Sequence, residues 1–328
     1  MKFRKYYGIL SVFLILGTTP VLSADSINQA ELNTSDNFQA AAQAQANGEY
    51  AKAYELFHLA AEKENNPLAY FNLGLFQVNG WGRVKDPLAA CQLFEKAAQG
   101  GIPYAQHLLA ECFEKGTHQT ANPVQAALWY QRAAESGHTL SNCYLGQLYM
   151  HGNGMEKDPQ KALQLCHSAI GRSSVAMVWM GRFLFEGDAS IRNAAQALSW
   201  FEKAAQYNLP EAYYYLGKMS EQGLIEQLPP QQARGLYEQA AAKGYVPAYL
   251  PSGRLYLNAS PDPKTGYLSA HDLAKAYLWL SACKQRSVNA AEVSESDKLL
   301  QQIIAVMPET WRPELDRRLA SHLNNEQK

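Results

Sequence analysis

Apolar and polar positions follow a helical step inside short segments of this chain, and a much longer step between them. In residues 67–101, Ala69, Leu73 and Gly74 lie at inward helical spacing and predict a helix over Leu68–Val78. Ala90, Leu93, Phe94, Ala97 and Ala98 form the buried stripe of a second helix. Asn66-Pro67 and Asp86-Pro87 open the two helices: a capping side chain is followed by a proline whose missing N–H costs nothing at the first helical position. Gly80-Trp81-Gly82 separates the helices and Gly100-Gly101 ends the second, glycine accepting the positive φ of a helix stop.

This unit recurs. Ala53, Ala90, Ala126, Ala162, Ala197, Ala233 and Ala276 are spaced by 37, 36, 36, 35, 36 and 43 residues. Seven residues after each stands a second small residue: Ala60, Ala97, Ala133, Ala169, Ala204, Ala240 and Cys283. A third ladder runs Gly74, Ala110, Gly146, Gly181, Gly217 and Gly253. The punctuation keeps phase. Asn122-Pro123 and Asp158-Pro159 match Asp86-Pro87; Pro103, Pro210 and Pro247 match Pro67; Gly116, Gly152, Gly187 and Gly223 match Gly80. A period near 36 residues marks stacked helical hairpins, each too small to bury its apolar face alone. The small ladders are then points where helix backbones approach closely. The pattern predicts an all-α solenoid and points away from a pocket enzyme.

The strings Tyr70 to Gly101 (YFNLGLFQVNGWGRVKDPLAACQLFEKAAQGG) and Cys143 to Leu163 (CYLGQLYMHGNGMEKDPQKAL) resemble the Sel-one-like repeat (SLR) family, relatives of the tetratricopeptide repeats. The resemblance covers about residues 36–286. It implies a right-handed α/α solenoid of about seven helix-turn-helix repeats closed by a C-terminal helical cap. Two units depart from the pattern: the first has a short turn at Asn47-Gly48-Glu49-Tyr50, and the last is enlarged around Ser260 to Ser269.

The ends complete the domain plan. Lys2, Arg4 and Lys5, the apolar stretch Gly8 to Gly17 and the small-residue zone Val21-Leu22-Ser23-Ala24 read as a secretory signal over residues 1–24, a retained anchor being the alternative. Residues 25–35 read as a flexible segment, 36–286 as the repeat array, and 287–328 as capping helices. The net charge of −1 gives no general attraction to nucleic acid or anionic lipid. No later segment has the length of a membrane span. An oxidising compartment, most simply a bacterial periplasm, is expected.

Five cysteines bear on that expectation. Cys91 and Cys112 flank the turn near Gly101 symmetrically, and Cys143 and Cys166 flank Gly154; antiparallel helices bring such positions toward disulfide spacing. The alternative reading makes them buried small hydrophobes. Cys283, on an alanine-ladder position, reads as a packed thiol.

Candidate chemistry is sparse. Ser35-Asp36-Asn37, Lys264-Thr265-Gly266 and Ser281 to Lys284 spell elements of penicillin-recognising serine enzymes, but in the wrong order and in helix and loop contexts. The eight histidines lack metal-ligand spacing, and no glycine-rich string joins a strand to a helix. Neither an enzyme nor a cofactor is expected. In arrays of this type the first helix of each pair lines the concave surface. The residue after the glycine ladder reads Leu75, Glu111, Gln147, Arg182, Lys218 and Arg254. Arg182, Lys218 and Arg254, with Phe185 and Tyr214 nearby, suggest a groove for an acidic peptide. Glu186 and Glu221 lie close enough to neutralise part of it, and a solvated face of intramolecular ion pairs is the competing reading. The resemblance implies a non-enzymatic periplasmic scaffold binding a protein or peptide. The alternatives are a cell-wall role (peptidoglycan-fragment or penicillin binding, weak β-lactam hydrolysis) or a secreted host-interaction protein.

Overall fold

The computed structural model describes residues 36–117 and 119–325; the signal and post-signal segments, and Ser35, lie outside them. Sixteen α-helices are present among the described residues. The first eight are α1 (Asp36–Ala46), α2 (Tyr50–Lys63), α3 (Pro67–Asn79), α4 (Pro87–Gln99), α5 (Pro103–Lys115), α6 (Pro123–Glu135), α7 (Ser141–His151) and α8 (Pro159–His167). They form one compact unit ending at Ala169. The second unit begins at Ile170. It holds α9 (Val175–Glu186), α10 (Ala194–Gln206), α11 (Pro210–Glu221), α12 (Ala233–Ala242), α13 (Tyr249–Leu257), α14 (Ala270–Arg286), α15 (Ala290–Val306) and α16 (Arg312–Asn325).

Helices pair in sequence, α1 with α2 through α13 with α14, and within each unit every pair packs on the next. The chain is therefore a helical-hairpin solenoid, with α15 and α16 packed against α14. The helices begin where local chemistry starts them. The side chains of Asn66, Asp86, Asn122, Asp158 and Asn193 accept hydrogen bonds from the N–H groups of Leu68, Ala89, Gln125, Lys161 and Gln196 at 2.9–3.1 Å. Each satisfies one of the orphan donors of a first helical turn. Gly80, Gly116 and Gly152 end α3, α5 and α7 in the left-handed region, φ 68–72°. Gly187 corrects the pattern: it is extended at φ −71°, ψ −161°. There the turn is made by Asp188, whose carboxylate accepts from the Ser190 N–H, and Ile191 is buried beneath it. Pro247 also departs, sitting in the short 3-10 turn Val246–Ala248 ahead of α13.

Both alanine ladders are core: no member from Ala53 to Ala276, or from Ala60 to Cys283, is more than 1% exposed. The glycine ladder faces a fourth ladder four residues beyond the first alanines: Phe57, Phe94, Tyr130, Cys166, Phe201, Tyr237 and Leu280. A Cβ placed on Gly74, Gly181, Gly217 or Gly253 would stand 2.4–2.9 Å from the side chain of Phe94, Phe201, Tyr237 or Leu280 respectively. Glycine thus makes room for one large side chain per hairpin. In α7·α8 that side chain is Cys166, and the helices close further. Here a Cβ on Gly146 would stand 2.8 Å from the backbone oxygen of Ala162.

Two disulfides staple the first unit. Cys91 of α4 bonds Cys112 of α5, Cα–Cα 5.9 Å, joining neighbouring hairpins. Cys143 of α7 bonds Cys166 of α8, Cα–Cα 4.1 Å, inside one hairpin. Cys283 is free and buried, its thiol pushed up to about 11 by burial, which leaves little thiolate at neutral pH.

Candidate functional site

In the second unit the first helices of successive hairpins carry the cationic ladder: Arg182 on α9, Lys218 on α11 and Arg254 on α13. A carboxylate from a neighbouring element meets each one. Arg182 Nη1 lies 3.7 Å from Glu211 Oε1 of α11. Its guanidinium covers the ring of Trp179 at 4.4 Å. Lys218 Nζ bonds Glu186 of α9, the same carboxylate that accepts from Tyr215 Oη at 3.4 Å. Arg254 reaches Glu221 Oε1 at 3.2 Å and Glu295 Oε1 at 3.8 Å. Glu221 also accepts from Tyr237 Oη at 2.8 Å.

Each cation of the expected groove is held in an ion pair within the chain. The three cations face four partner carboxylates, and Glu292 adds a fifth negative charge whose field reaches Tyr214. Carboxylates therefore outnumber the three ladder cations they surround. The physical reason is local: a half-buried guanidinium or ammonium is best placed beside a carboxylate of an adjacent repeat, the following one for Arg182 and the preceding one for Lys218 and Arg254. The paired groups remain 28–45% exposed. At such exposure an ion pair contributes only about 0.2–1 kcal/mol, so its members can exchange partners at small cost.

Aromatic rings fill the spaces between the pairs. Tyr214 is half-buried, with ring centroids 5.2 Å from Tyr215, 5.7 Å from Tyr237 and 5.3 Å from Tyr245. Phe185 meets Phe201 edge-on at 6.4 Å. Burial pushes the phenols of Tyr214, Tyr215, Tyr237 and Tyr245 above their ordinary value, so they stay neutral hydroxyls. Burial also raises Glu211, against the opposing pull of Arg182. The result is a semi-buried face of fixed charges and phenols suited to contact with another polypeptide.

In the first unit the same ladder position gives a different result. Leu75 packs against the core. Glu111 enters a polar cluster that spacing did not reveal, built from His107, His138, Ser141 and three tyrosines. Hydrogen bonding from His107, with Lys115 alongside, holds Glu111 down to about 2 against the effect of burial. Two open clefts, of about 310 and 280 Å³, lie on α2 with the turn after α3, and between α2, α3 and α4. Neither contains a ladder residue.

The penicillin-like strings do not gather into an active site in the described residues. Ser281 is 7% exposed inside α14. Lys284 pairs with Asp297 at 2.7 Å. Lys264 and Thr265 donate their N–H groups to Asp262 in an exposed turn. No group of three or more metal-ligating side chains occurs among the described residues. None of the described helices is long and apolar enough to cross a membrane.

Sel1 repeats match six consecutive stretches, residues 45–65, 67–102, 103–138, 139–171, 174–206 and 210–245. The chain belongs to the Sel1 repeat family. A crystal structure of a Sel1 repeat protein from Oxalobacter formigenes superposes with TM-score 0.60 at 25% identity, covering 76% of this chain and 99% of that one. A protective antigen of uropathogenic Escherichia coli with an SLR fold gives TM-score 0.53 at 24% identity, over 82% and 58% of the two chains, and shares the fold. The Exopolysaccharide production negative regulator of Rhizobium leguminosarum bv. viciae is 26% identical over 63% of this chain and 77% of its own length. Chitin synthase regulatory factor 3 of Schizosaccharomyces pombe is 27% identical over 60% of this chain. The match spans 22% of that factor, and 25% of the chitin synthase regulator of Saccharomyces cerevisiae. Sel1 repeat proteins typically mediate protein–protein interaction, and the Rhizobium and the two yeast relatives are named as regulators.

Proposed function

We propose that this Sel1 repeat protein is a non-enzymatic scaffold of the periplasm that binds a protein or peptide partner on the α9·α11·α13 face of its second unit. One observation carries the reading: Arg182–Glu211, Lys218–Glu186 and Arg254–Glu221 recur on successive hairpins, half-exposed and interleaved with Tyr214 and Phe185. Two disulfides in the first unit fit an oxidising compartment. The regulatory names of the relatives fit control by binding.

The charge balance changes the partner first expected. With its cations already bonded and carboxylates in excess, the face suits a segment carrying Lys or Arg; such a side chain pairs with Glu186, Glu221 or Glu295 and lays its stem on Tyr214. A random peptide library displayed against the purified protein tests this. Enrichment of Lys- and Arg-containing peptides is expected, lost when Glu186, Glu221 and Glu295 are changed together to Gln. Enrichment of acidic peptides, lost instead in an Arg182, Lys218 and Arg254 to Gln triple variant, would restore the anionic ligand. Binding indifferent to both triple variants would remove this face from the function.

A further inference from the structure

The histidine cluster of the first unit lies outside the partner face and does work of another kind. His107, on α5, is 3% exposed, and Ser141, the first residue of α7, is fully buried. His138 sits in the turn between α6 and α7. Both imidazoles place Nδ1 on the single Ser141 hydroxyl, at 3.0 Å from His107 and 2.8 Å from His138. Their ring centroids are 4.6 Å apart. His107 Nε2 faces Glu111 Oε1 at 3.4 Å.

One hydroxyl between two imidazoles restricts the protonation states. With both rings neutral, His107 donates from Nε2 to Glu111 and accepts the Ser141 proton on Nδ1, while His138 donates Nδ1–H to the Ser141 oxygen. Both nitrogens of His107, the Ser141 hydroxyl and the Nδ1 of His138 then each have a partner of the right sense. If His107 gains a proton, both its nitrogens donate, and the Ser141 hydroxyl turns to donate to His138. A second proton, on His138, breaks the scheme. Both rings would then donate to one oxygen, whose own hydrogen loses its acceptor, and two cations would stand 4.6 Å apart at the positive end of α7.

We propose that His107, Ser141 and His138 form a pH-sensitive latch, closed while His138 is neutral, that fastens the α6–α7 turn to α5 and opens when His138 is protonated. The surroundings offer that proton little compensation. From α5, Tyr104 stacks on His107 at 5.8 Å and meets His138 at 5.1 Å, and the Glu111 charge is shared with His107 and Lys115. From α6, Tyr130 lies 5.3 Å from His107 and directs its hydroxyl to Glu114. From α7, Tyr144 meets His107 edge-on at 4.6 Å. Burial first, and the neighbouring His107 charge second, hold His138 down to about 4.

An unfolded or locally opened turn binds the proton at the ordinary histidine value near 6.5. The latch is therefore fully effective above that pH and weakens as pH falls from about 6.5 toward 4, the opening equilibrium rising by up to tenfold per pH unit. Imidazole ¹⁵N titration of the full chain, with amide hydrogen exchange of residues 136–146 at pH 7 and 4.5, tests this. His138 is expected to titrate well below 6, and exchange, corrected for its intrinsic rate, to rise at least tenfold at the lower pH. His138→Asn places an amide donor where Nδ1–H was and does not titrate; it should remove the acid response, while the same change at His58, an exposed histidine of α2, should keep it. An ordinary His138 titration near 6.5, or an unchanged acid response in His138→Asn, overturns the latch. Should His138→Asn fail to fold, the wild-type titration decides alone.

Discussion

Replacing Gly146 by alanine tests the backbone contact on which the array rests. The new Cβ would stand 2.8 Å from the Ala162 carbonyl oxygen and 3.4 Å from Ala162 C and Cα. Carbon and oxygen at 2.8 Å must separate by several tenths of an ångström, and the obstacle is backbone, which no rotamer change removes. The Cys143–Cys166 bond, three residues before Gly146, resists that separation. Overpacking of this kind costs about 1–3 kcal/mol. Alanine also gains about 1 kcal/mol over glycine inside any helix, so a matched control is needed. Gly235 supplies it: it is exposed, inside α12, and its added Cβ would meet no atom within 4 Å. The propensity gain is common to both substitutions, and the difference between them isolates the overpacking cost. In urea unfolding followed by circular dichroism, Gly235→Ala should raise the midpoint of its unit and Gly146→Ala should lower that of its own. Equal stabilisation by both would show that α7 and α8 do not touch through their backbones. Gly181→Ala offers a further check: its obstacle is the Phe201 ring, 2.5 Å away, so Phe201→Leu should rescue part of the loss.

Other outcomes follow from the same coordinates. Changing Cys91 and Cys112 together to Ser removes a link across 21 residues, and changing Cys143 and Cys166 together removes one across 23; each should cost about 3 kcal/mol on loop-entropy grounds, read as a lower denaturation midpoint that reductant reproduces in the parent. Glu111 is held to about 2 chiefly by its hydrogen bond from His107. Its folded value is depressed, so its stabilisation is complete above about pH 4.5 and is lost as pH falls toward 2. Comparing midpoints at pH 5 and pH 2.5 should show a larger loss in the parent than in Glu111→Gln, by on the order of 2 kcal/mol. Arg254→Gln breaks pairs with Glu221 and Glu295 that are 34–45% exposed; stability should change by less than about 1 kcal/mol, measured by thermal melting, and a loss of several kcal/mol would show that the lattice is structural first.

Much of this molecule is written in local chemistry. Asn66, Asp86, Asn122 and Asp158 cap the helices they precede because a short polar side chain satisfies an N–H two or three residues away, a relation contained in the sequence. The alanine and glycine ladders were legible for a similar reason: stacking identical hairpins makes the same position small every time. The facing ladder from Phe57 to Leu280 was equally periodic and was missed, since a large apolar residue in a helix stripe carries no signal of which glycine it covers. Gly187 was misplaced because Asp188 offered the turn an alternative that periodicity could not weigh.

Contacts between repeats were decided only in three dimensions. The sequence put Arg182, Lys218 and Arg254 on one face but not Glu211 against Arg182, 29 residues on, or Glu295 of α15 against Arg254. Those pairings are what favour a basic rather than an acidic segment in the partner proposed above. The histidine latch lay further from reach: His107 meets Ser141 across 34 residues, and no spacing rule marks a serine that opens the next helix as the hydroxyl two imidazoles will share. Capping and periodicity act within a helix and its copy, where separation along the chain fixes distance. Ion pairing and hydrogen bonding between hairpins depend on how far each turn rotates one hairpin against the next, and that angle exists only once the helices have packed.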